Sequence, residues 1–180
     1  IDQGKIRYIG LSNETPWGFM KFLEIAKEKK LPRIVSVQNP YNLVNRSYEI
    51  GMSEVSIREK AGLLAYSPLA AGYLSGKYRN NKVPKNSRMD LFYENYPRYH
   101  NQRTYKAVDE YFKIAKKYEL SLTQLSQAFV NSRDFVTSNI IGATTMDQLK
   151  ENIDSINISL KEDVLNEINS IHENIPNPAP

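Results

Sequence analysis

The feature that most constrains this chain is a repeating unit: a short apolar run, then a longer segment whose apolar residues recur at helical spacing. Ile6-Arg7-Tyr8-Ile9-Gly10-Leu11 reads as a first strand. A helix then starts at Pro16, with Thr15 as its N-cap and Phe19, Phe22, Leu23 and Ala26 along one face. After Pro32, Ile34-Val35-Ser36-Val37 reads as a second strand, followed by a helix over 47–61 that Gly62 closes. Leu63-Leu64-Ala65-Tyr66 is the third strand. A connection over 67–102, rich in Gly, Pro, Asn and Tyr, is long enough to suggest function or mobility. Helices follow over 104–118 and 122–132, a fourth strand contains Ile140-Ile141, and further helices cover 145–156 and 162–172. A Pro-rich tail, Pro176-Asn177-Pro178-Ala179-Pro180, ends the pattern.

Strands alternating with helices imply a parallel sheet covered by helices, which accounts for the near-continuous apolar runs. Two architectures satisfy this: an open doubly wound sheet, or part of a (β/α)8 barrel. The Gly-x-Gly-x-x-Gly fingerprint of the open dinucleotide fold is absent. Four units make half a barrel. Gly4 reads as the glycine that ends a helix whose body is not in the sequence, so the chain is expected to begin inside a larger architecture.

The 180 residues suffice for one domain, taken here as 1–180. Cysteine is absent, which excludes disulfides, thiolate catalysis and Cys-based metal sites. No apolar run approaches the roughly 18 residues of a membrane span, and Ile1-Asp2-Gln3-Gly4-Lys5 has no signal-like apolar core. A cytoplasmic location is expected, with no membrane partner. The net charge of +4 is too mild to imply a polyanion. The aromatic and cationic stretch Phe92–His100 has no recognisable nucleic-acid module around it, so no nucleic-acid partner is expected. His100 and His172 have no ligand-spaced neighbours, and no metal site is expected.

Polar residues collect where strands end. Ser12, Asn13 and Gln38 offer both donors and acceptors, as a primary carboxamide requires, although they could equally cap helices or bond internally. Tyr66 ends the third strand, either as a ring platform or as core. Small residues and glycines from Ser67 to Gly76, with Lys77, would let backbone N–H groups approach phosphate. The alternative is that Lys77 and Arg88 are solvated surface cations. Gly142-Ala143-Thr144 runs into a helix N-terminus, a natural anion site. Thr145-Met146-Asp147-Gln148 has the capping-box pattern, so capping alone also explains it.

Four segments resemble the aldo-keto reductase family, in family order. Gly4–Asn13 is similar to its fifth strand and Val37-Gln38-Asn39-Pro40-Tyr41-Asn42 to its sixth. The stretch Ala65–Tyr78 is similar to its seventh strand and cofactor loop, and Ile141–Asn152 to its eighth strand and NADP-binding helix. Asn39-Pro40-Tyr41, Ala143–Leu149 and the Pro-Ala-Pro ending resemble most the bacterial Tas-type reductases. The resemblance implies the C-terminal half of a (β/α)8 TIM barrel, strands five to eight, and NADP(H) as cofactor. It assigns Ser12, Asn13 and Gln38 to the nicotinamide amide and Tyr66 to the nicotinamide ring. Ser67, Leu69, Ala71 and Lys77 go to the pyrophosphate, and Arg88 to the adenosine-phosphate end. Thr144 and Gln148 go to the 2'-phosphate region, Gly142 and Ala143 belong to the cofactor-binding loop that leads into it, and Glu151 and Asn152 go to adenine.

The family reduces aldehydes and ketones with NADPH, using a Tyr as proton donor with Lys, Asp and His partners. Those four belong to earlier strands and have no matching motif here, so no catalytic residue is assigned and the isolated chain is expected to be inactive. The expected partners are a small carbonyl substrate and either a missing N-terminal half-barrel or a second copy of the chain. The sheet edges near Ile6–Leu11 and Ile140-Ile141, with apolar Ile9, Val37 and Leu64 exposed on the open face, would drive that association. The alternative is a catalytically inactive half-barrel that binds nucleotide or a protein partner.

Overall fold

The computed structural model describes residues 1–180. Four strands, β1 (Ile9–Ser12), β2 (Ile34–Pro40), β3 (Gly62–Tyr66) and β4 (Val136–Asn139), form one parallel sheet in the order β1-β2-β3-β4. The seven helices are α1 (Pro16–Glu28), α2 (Met52–Glu59), α3 (Arg88–Phe92), α4 (Gln102–Lys117), α5 (Leu122–Asn131), α6 (Met146–Asp154) and α7 (Glu162–Asn174). Chain order and spatial order of the strands coincide. A doubly wound sheet would reverse direction at a switch point, so this sheet is an arc of a barrel.

Local chemistry sets most boundaries. Thr15 caps α1 by accepting from the Gly18 N–H at 3.2 Å, and Phe19, Leu23 and Ala26 bury its inner face, while Phe22 stays on the rim, 46% exposed. The helix expected over 47–61 is instead a 3-10 turn, Ser47–Glu49, and then α2, separated by Gly51 at φ +86. Lys60, in the left-handed region, ends α2. Gly62 therefore starts β3 rather than closing the helix, and it is small for a packing reason: a Cβ there would collide with the Thr137 hydroxyl.

The fourth strand lies at Val136–Asn139, ahead of the apolar pair Ile140-Ile141. Only the Ile140 N–H still pairs, with the Ala65 carbonyl at 2.8 Å. Polar Thr137 and Ser138 are tolerated in a strand because they face away from the helices. Register shifts at Ile9/Gly10 and Leu63/Leu64 insert one extra residue, Val35 in β2 and Thr137 in β4.

Val37, Leu63 and Ala65 are buried beneath the helices, and Ile9 and Leu11 pack against the same core. The opposite face presents Gly10, Ser12, Ser36, Gln38, Gly62, Leu64 and Tyr66. This corrects the expected apolar open face. Of Ile9, Val37 and Leu64, only Leu64 lies there, because the bulge in β2 turns Val37 inward. The 67–102 connection is not structureless. It carries α3 and four 3-10 turns around Tyr73, whose ring lies 5.1, 5.7 and 5.9 Å from those of Tyr78, Tyr99 and Tyr105. The tail is pinned as well. Ala179 donates to the Val44 carbonyl at 3.1 Å, and Asn177 Oδ1 accepts from the Arg46 N–H at 2.7 Å. No helix is long and apolar enough to cross a membrane.

Candidate functional site

The C-terminal ends of β1, β2 and β3 meet at one rim, where a barrel places its site. Asn13 follows β1 in the left-handed region at φ 55, a conformation Asn tolerates better than most residues. Its N–H donates to the Gln38 carbonyl at 2.9 Å, and its side chain accepts from the Tyr66 hydroxyl at 2.8 Å and donates to Ser12 Oγ at 3.3 Å. Ser12 pairs in register with Gln38, and Gln38 with Leu64. Ser12, Asn13, Gln38 and Tyr66 thus form one constellation, in which the Gln38 amide alone has no side-chain partner.

Asn39 was visible in the motif but not singled out from the sequence. Its Oδ1 accepts from the Glu14 N–H at 3.2 Å and its Nδ2 donates to the Glu14 carbonyl at 3.1 Å. This two-point clamp fixes the backbone just past Asn13. Asn42 acts similarly on the next strand end, donating to the Ser67 carbonyl at 3.0 Å.

Beyond β3 the backbone bends sharply. Ser67, Ala70, Ala71 and Gly72 all have positive φ, an accumulation of strain typical of ligand-binding turns. Lys77 folds back over this turn. A Cβ on Gly72 would stand 3.0 Å from Lys77 Cε and 3.4 Å from its Nζ, which also lies 5.1 Å from the Tyr78 ring centre. Leu69 is half-buried and packs on the core. Arg88 is the first residue of α3, which Ser87 caps, and it bonds the Tyr96 hydroxyl at 3.3 Å. Neither Lys77 nor Arg88 forms an ion pair, and no hydrogen bond links Arg88 to the 142–152 segment.

Gly142, Ala143 and Thr144 are exposed ahead of α6, and nothing lies within 4 Å of where a Gly142 Cβ would be. The capping box is half made. Thr145 Oγ1 accepts from the Gln148 N–H at 3.3 Å, but Gln148 Oε1 reaches the Thr144 N–H at 3.0 Å and its hydroxyl at 3.1 Å. Gln148 therefore shapes the turn before the cap. Glu151 Oε1 accepts from Ser121 Oγ at 2.5 Å, tying α6 to the start of α5. Asn152 is 5% exposed with both amide ends engaged: Oδ1 accepts from Gln127 Nε2 at 3.1 Å and Nδ2 donates to the Gly142 carbonyl at 3.2 Å. Gln127 in turn accepts from Asn139 Nδ2 at 2.7 Å. An amide relay runs from the end of β4 through α5 and α6 to the Gly142 loop, and sequence periodicity gave no sign of Gln127.

At the rim lies a cavity of about 340 Å³. Its walls include Asn13, Asn39 and Tyr66 from the strand ends, Asn45 and Ser47 after β2, Arg98 from the long connection, and the tip of the tail at Pro180. No group of three or more His, Asp or Glu side chains is positioned to hold a metal.

Comparison with known proteins places this geometry. The model of the aldo/keto reductase family matches residues 1–173. The chain is 51% identical over 177 residues to Protein tas of Escherichia coli (strain K12), covering 98% of this chain and 51% of that protein. An aldo-keto reductase of Babesia bovis is 41% identical over 179 residues, 96% of this chain and 63% of that one. The L-glyceraldehyde 3-phosphate reductase of E. coli (strain K12) is 30% identical over 162 residues, 87% of this chain and 46% of its own length. The chain thus spans about half the length of the curated relatives it matches.

Proposed function

Because this chain belongs to the aldo/keto reductase family, we propose that it forms the NADP(H)-binding part of an enzyme that reduces a carbonyl to an alcohol. The observation that carries this reading is the joined Asn13–Tyr66 pair at the strand ends, beside an uncommitted Gln38 amide. The nucleotide, when bound, supplies the hydride. Ser12, Asn13 and Gln38 offer the donors and acceptors a carboxamide needs, and Tyr66 offers a flat ring that excludes water from one face.

The residues present also suit the anionic part of the cofactor. Ser67, Leu69, Ala71 and Lys77 border the strained turn, with the Lys77 amine free of any carboxylate. Arg88 is likewise free. Gly142, Ala143 and Thr144 present exposed backbone at the α6 N-terminus, where N–H groups favour an anion. Gln148 holds Thr144, and Glu151 lies one turn further along α6. Asn152 serves by holding Gly142, since both ends of its amide are already used.

The proton donor and its partners lie outside this chain in this reading, so the chain alone does not turn over aldehydes. Fluorescence titration tests the cofactor assignment. A charge-assisted contact to the 2'-phosphate is worth about 1.5–3 kcal/mol, so NADPH should bind on the order of tenfold or more tighter than NADH. Equal affinity refutes the assignment of Arg88, Thr144 and Gln148. Aldehyde turnover that tracks the purified chain and disappears in Tyr66→Phe refutes the placement of the proton donor.

A further inference from the structure

Loops run over the surface because a buried one must find partners for its backbone groups. Residues Tyr41–Arg46, which lead from β2 into the 3-10 turn Ser47–Glu49, break that rule: all six are buried, none more than 7% exposed. Their polar groups are met from several sides. Asn42 and Asn45 exchange backbone bonds of 3.0 Å, and Asn42 Oδ1 accepts from the Val44 N–H at 3.0 Å. The Leu43 carbonyl accepts from the Tyr111 hydroxyl of α4 at 3.0 Å, and the Val44 carbonyl from the Ala179 N–H at 3.1 Å. Arg46 donates its N–H to Asn177 Oδ1 at 2.7 Å and its Nη1 to Asn169 of α7 at 2.9 Å, while Glu49 takes Nε and Nη2 at 2.8 Å each.

From this anchored segment Asn42 reaches the strained turn after β3. Its Nδ2 donates to the Ser67 carbonyl at 3.0 Å, and the neighbouring Tyr41 N–H donates to the Tyr66 carbonyl at 3.3 Å. The orientation of the amide is fixed, because the Val44 N–H requires an acceptor and the Ser67 carbonyl a donor. The Ser67 carbonyl also accepts from the Ala70 N–H at 2.8 Å, so both of its lone pairs are used. Ser67, Ala70 and Ala71 stand at φ 54, 48 and 55, a conformation that residues with a Cβ avoid. Such backbone persists only where its surroundings over-determine it. Here the surroundings include a buried segment that is itself tied to α4, α7 and the tail.

We propose that Tyr41–Arg46 is the positioning element of the pyrophosphate turn, with Asn42 as the residue that holds the turn and Tyr111 as a remote support. The proposal rests on the nucleotide reading given above for Ser67, Leu69, Ala71 and Lys77, and adds that their geometry is set from outside the turn. No residue of the segment touches nucleotide in this scheme. Asn42 holds Ser67, and Tyr111 holds Leu43 beside Asn42, so Tyr111 acts on the nucleotide at two removes. The consequence is selective. Losing the Asn42 donor weakens the grip on the part of the cofactor that the turn wraps. The 2'-phosphate end, served by the α6 N-terminus, stays as it was.

The test uses the chain with two probes, NADPH and adenosine 2'-monophosphate, which carries the 2'-phosphate but no pyrophosphate. Asn42→Ala should weaken NADPH about tenfold in a fluorescence titration, the scale of one buried hydrogen bond, and leave adenosine 2'-monophosphate, read by calorimetry, within about twofold. Tyr111→Phe removes one hydroxyl and little volume, so it should lower NADPH affinity in the same direction by a smaller factor. It carries the test should Asn42→Ala not fold. Amide hydrogen exchange reads the turn without any ligand. In the variants the Ala70 and Gly72 amides, bonded to the Ser67 and Leu69 carbonyls, should lose protection while the amides of α1 keep theirs. Unchanged NADPH affinity, both probes weakened alike, or Ala70 and Gly72 exchanging as in the parent overturns the proposal. A parent chain that binds no NADPH defeats the nucleotide reading, and the exchange measurement then still decides whether the segment holds the turn.

Discussion

Replacing Gln127 by Leu tests whether the amide relay is what positions the Gly142 loop. Gln127 is fully buried, so the substitution keeps approximate volume and removes two hydrogen bonds: its donation to Asn152 Oδ1 and its acceptance from Asn139 Nδ2. The consequences at the two ends differ. Asn139 Nδ2 retains Asn131 Oδ1 at 2.9 Å, whereas the buried Asn152 Oδ1 is left without a donor. One buried orphan costs about 1–3 kcal/mol. In a chain of this size each kcal/mol moves the melting temperature by roughly 2–4 °C, so a cost near 2 kcal/mol lowers it by about 4–8 °C. Because Asn152 holds Gly142, nucleotide affinity should fall with it. Differential scanning calorimetry on Gln127→Leu, Asn152→Leu and the double variant separates the relay from general packing. Removing both partners costs less than the sum of the two, with a coupling of about 0.5–3 kcal/mol. A Gln127→Leu melting point within a degree of the parent, or strict additivity, would refute the relay.

Gly72→Ala places a Cβ 3.0 Å from Lys77 Cε and 3.2 Å from Tyr78 Cε2 on a backbone at φ +101, so it should cost about 1–2 kcal/mol and weaken nucleotide binding, readable by calorimetry and fluorescence. Asn39→Ala removes both bonds to the Glu14 backbone, about 1–3 kcal/mol in total, and should loosen Asn13 enough to weaken NADPH in a fluorescence titration. Acidification should destabilise in two stages. His172 is held below its usual pKa by burial and then by the Arg46 charge, so the folded state favours the neutral ring and the stability this confers is lost as pH falls below about 6.5. His172→Phe should flatten that stage of a melting profile in part, since burial also lowers His100. For Glu49, burial pushes the carboxyl up, but the Arg46 and Tyr41 hydrogen bonds outweigh it and leave it below the ordinary range, so its contribution is held above about pH 4.3 and lost beneath it.

Periodicity carried the architecture because core-facing residues obey it. Phe19, Leu23 and Ala26 mark α1 unambiguously, and Thr15 and Pro16 mark its start. It failed where a residue is chosen for what it leaves empty or for a distant polar partner. Gly62 looks like a helix terminator in sequence, yet it is a strand residue that yields space to Thr137. The fourth strand was expected but placed one step too late, at apolar Ile140-Ile141, because three of the four residues of β4 are polar, two of them, Thr137 and Ser138, facing away from the helices. In the candidate site, motifs located the strand-end residues and the α6 loop. Asn39 and Gln127 act through partners that no local pattern encodes: Asn39 is 25 residues from the backbone it clamps, and Gln127 is 25 residues from Asn152.

The distribution of polarity across the sheet bears on how a half-barrel persists and what completes it. Its apolar core lies between strands and helices and extends into the long connection through the Tyr73 cluster. The inner face carries Gly10, Ser12, Ser36, Gln38 and Gly62, with Leu64 and Tyr66 as its larger members. A barrel interior is commonly filled by branched apolar side chains. This one is small and polar, so water can cover it at modest cost and collapse of an apolar patch is a weak drive to associate. The edges are different. β1 and β4 each have a partner on one side only, so each leaves backbone donors and acceptors that a strand can satisfy. We infer that association, whether with a second copy or with the half of the barrel that relatives carry, is directed by strand pairing at β1 and β4 rather than by burial of the inner face. Light scattering then distinguishes the two drives. Ser12→Pro, at an exposed position of edge strand β1, should shift the chain toward monomer, whereas Leu64→Ser on the inner face should leave its oligomeric state unchanged. The reverse pattern, or a parent chain that is monomeric at micromolar concentration, would refute the inference.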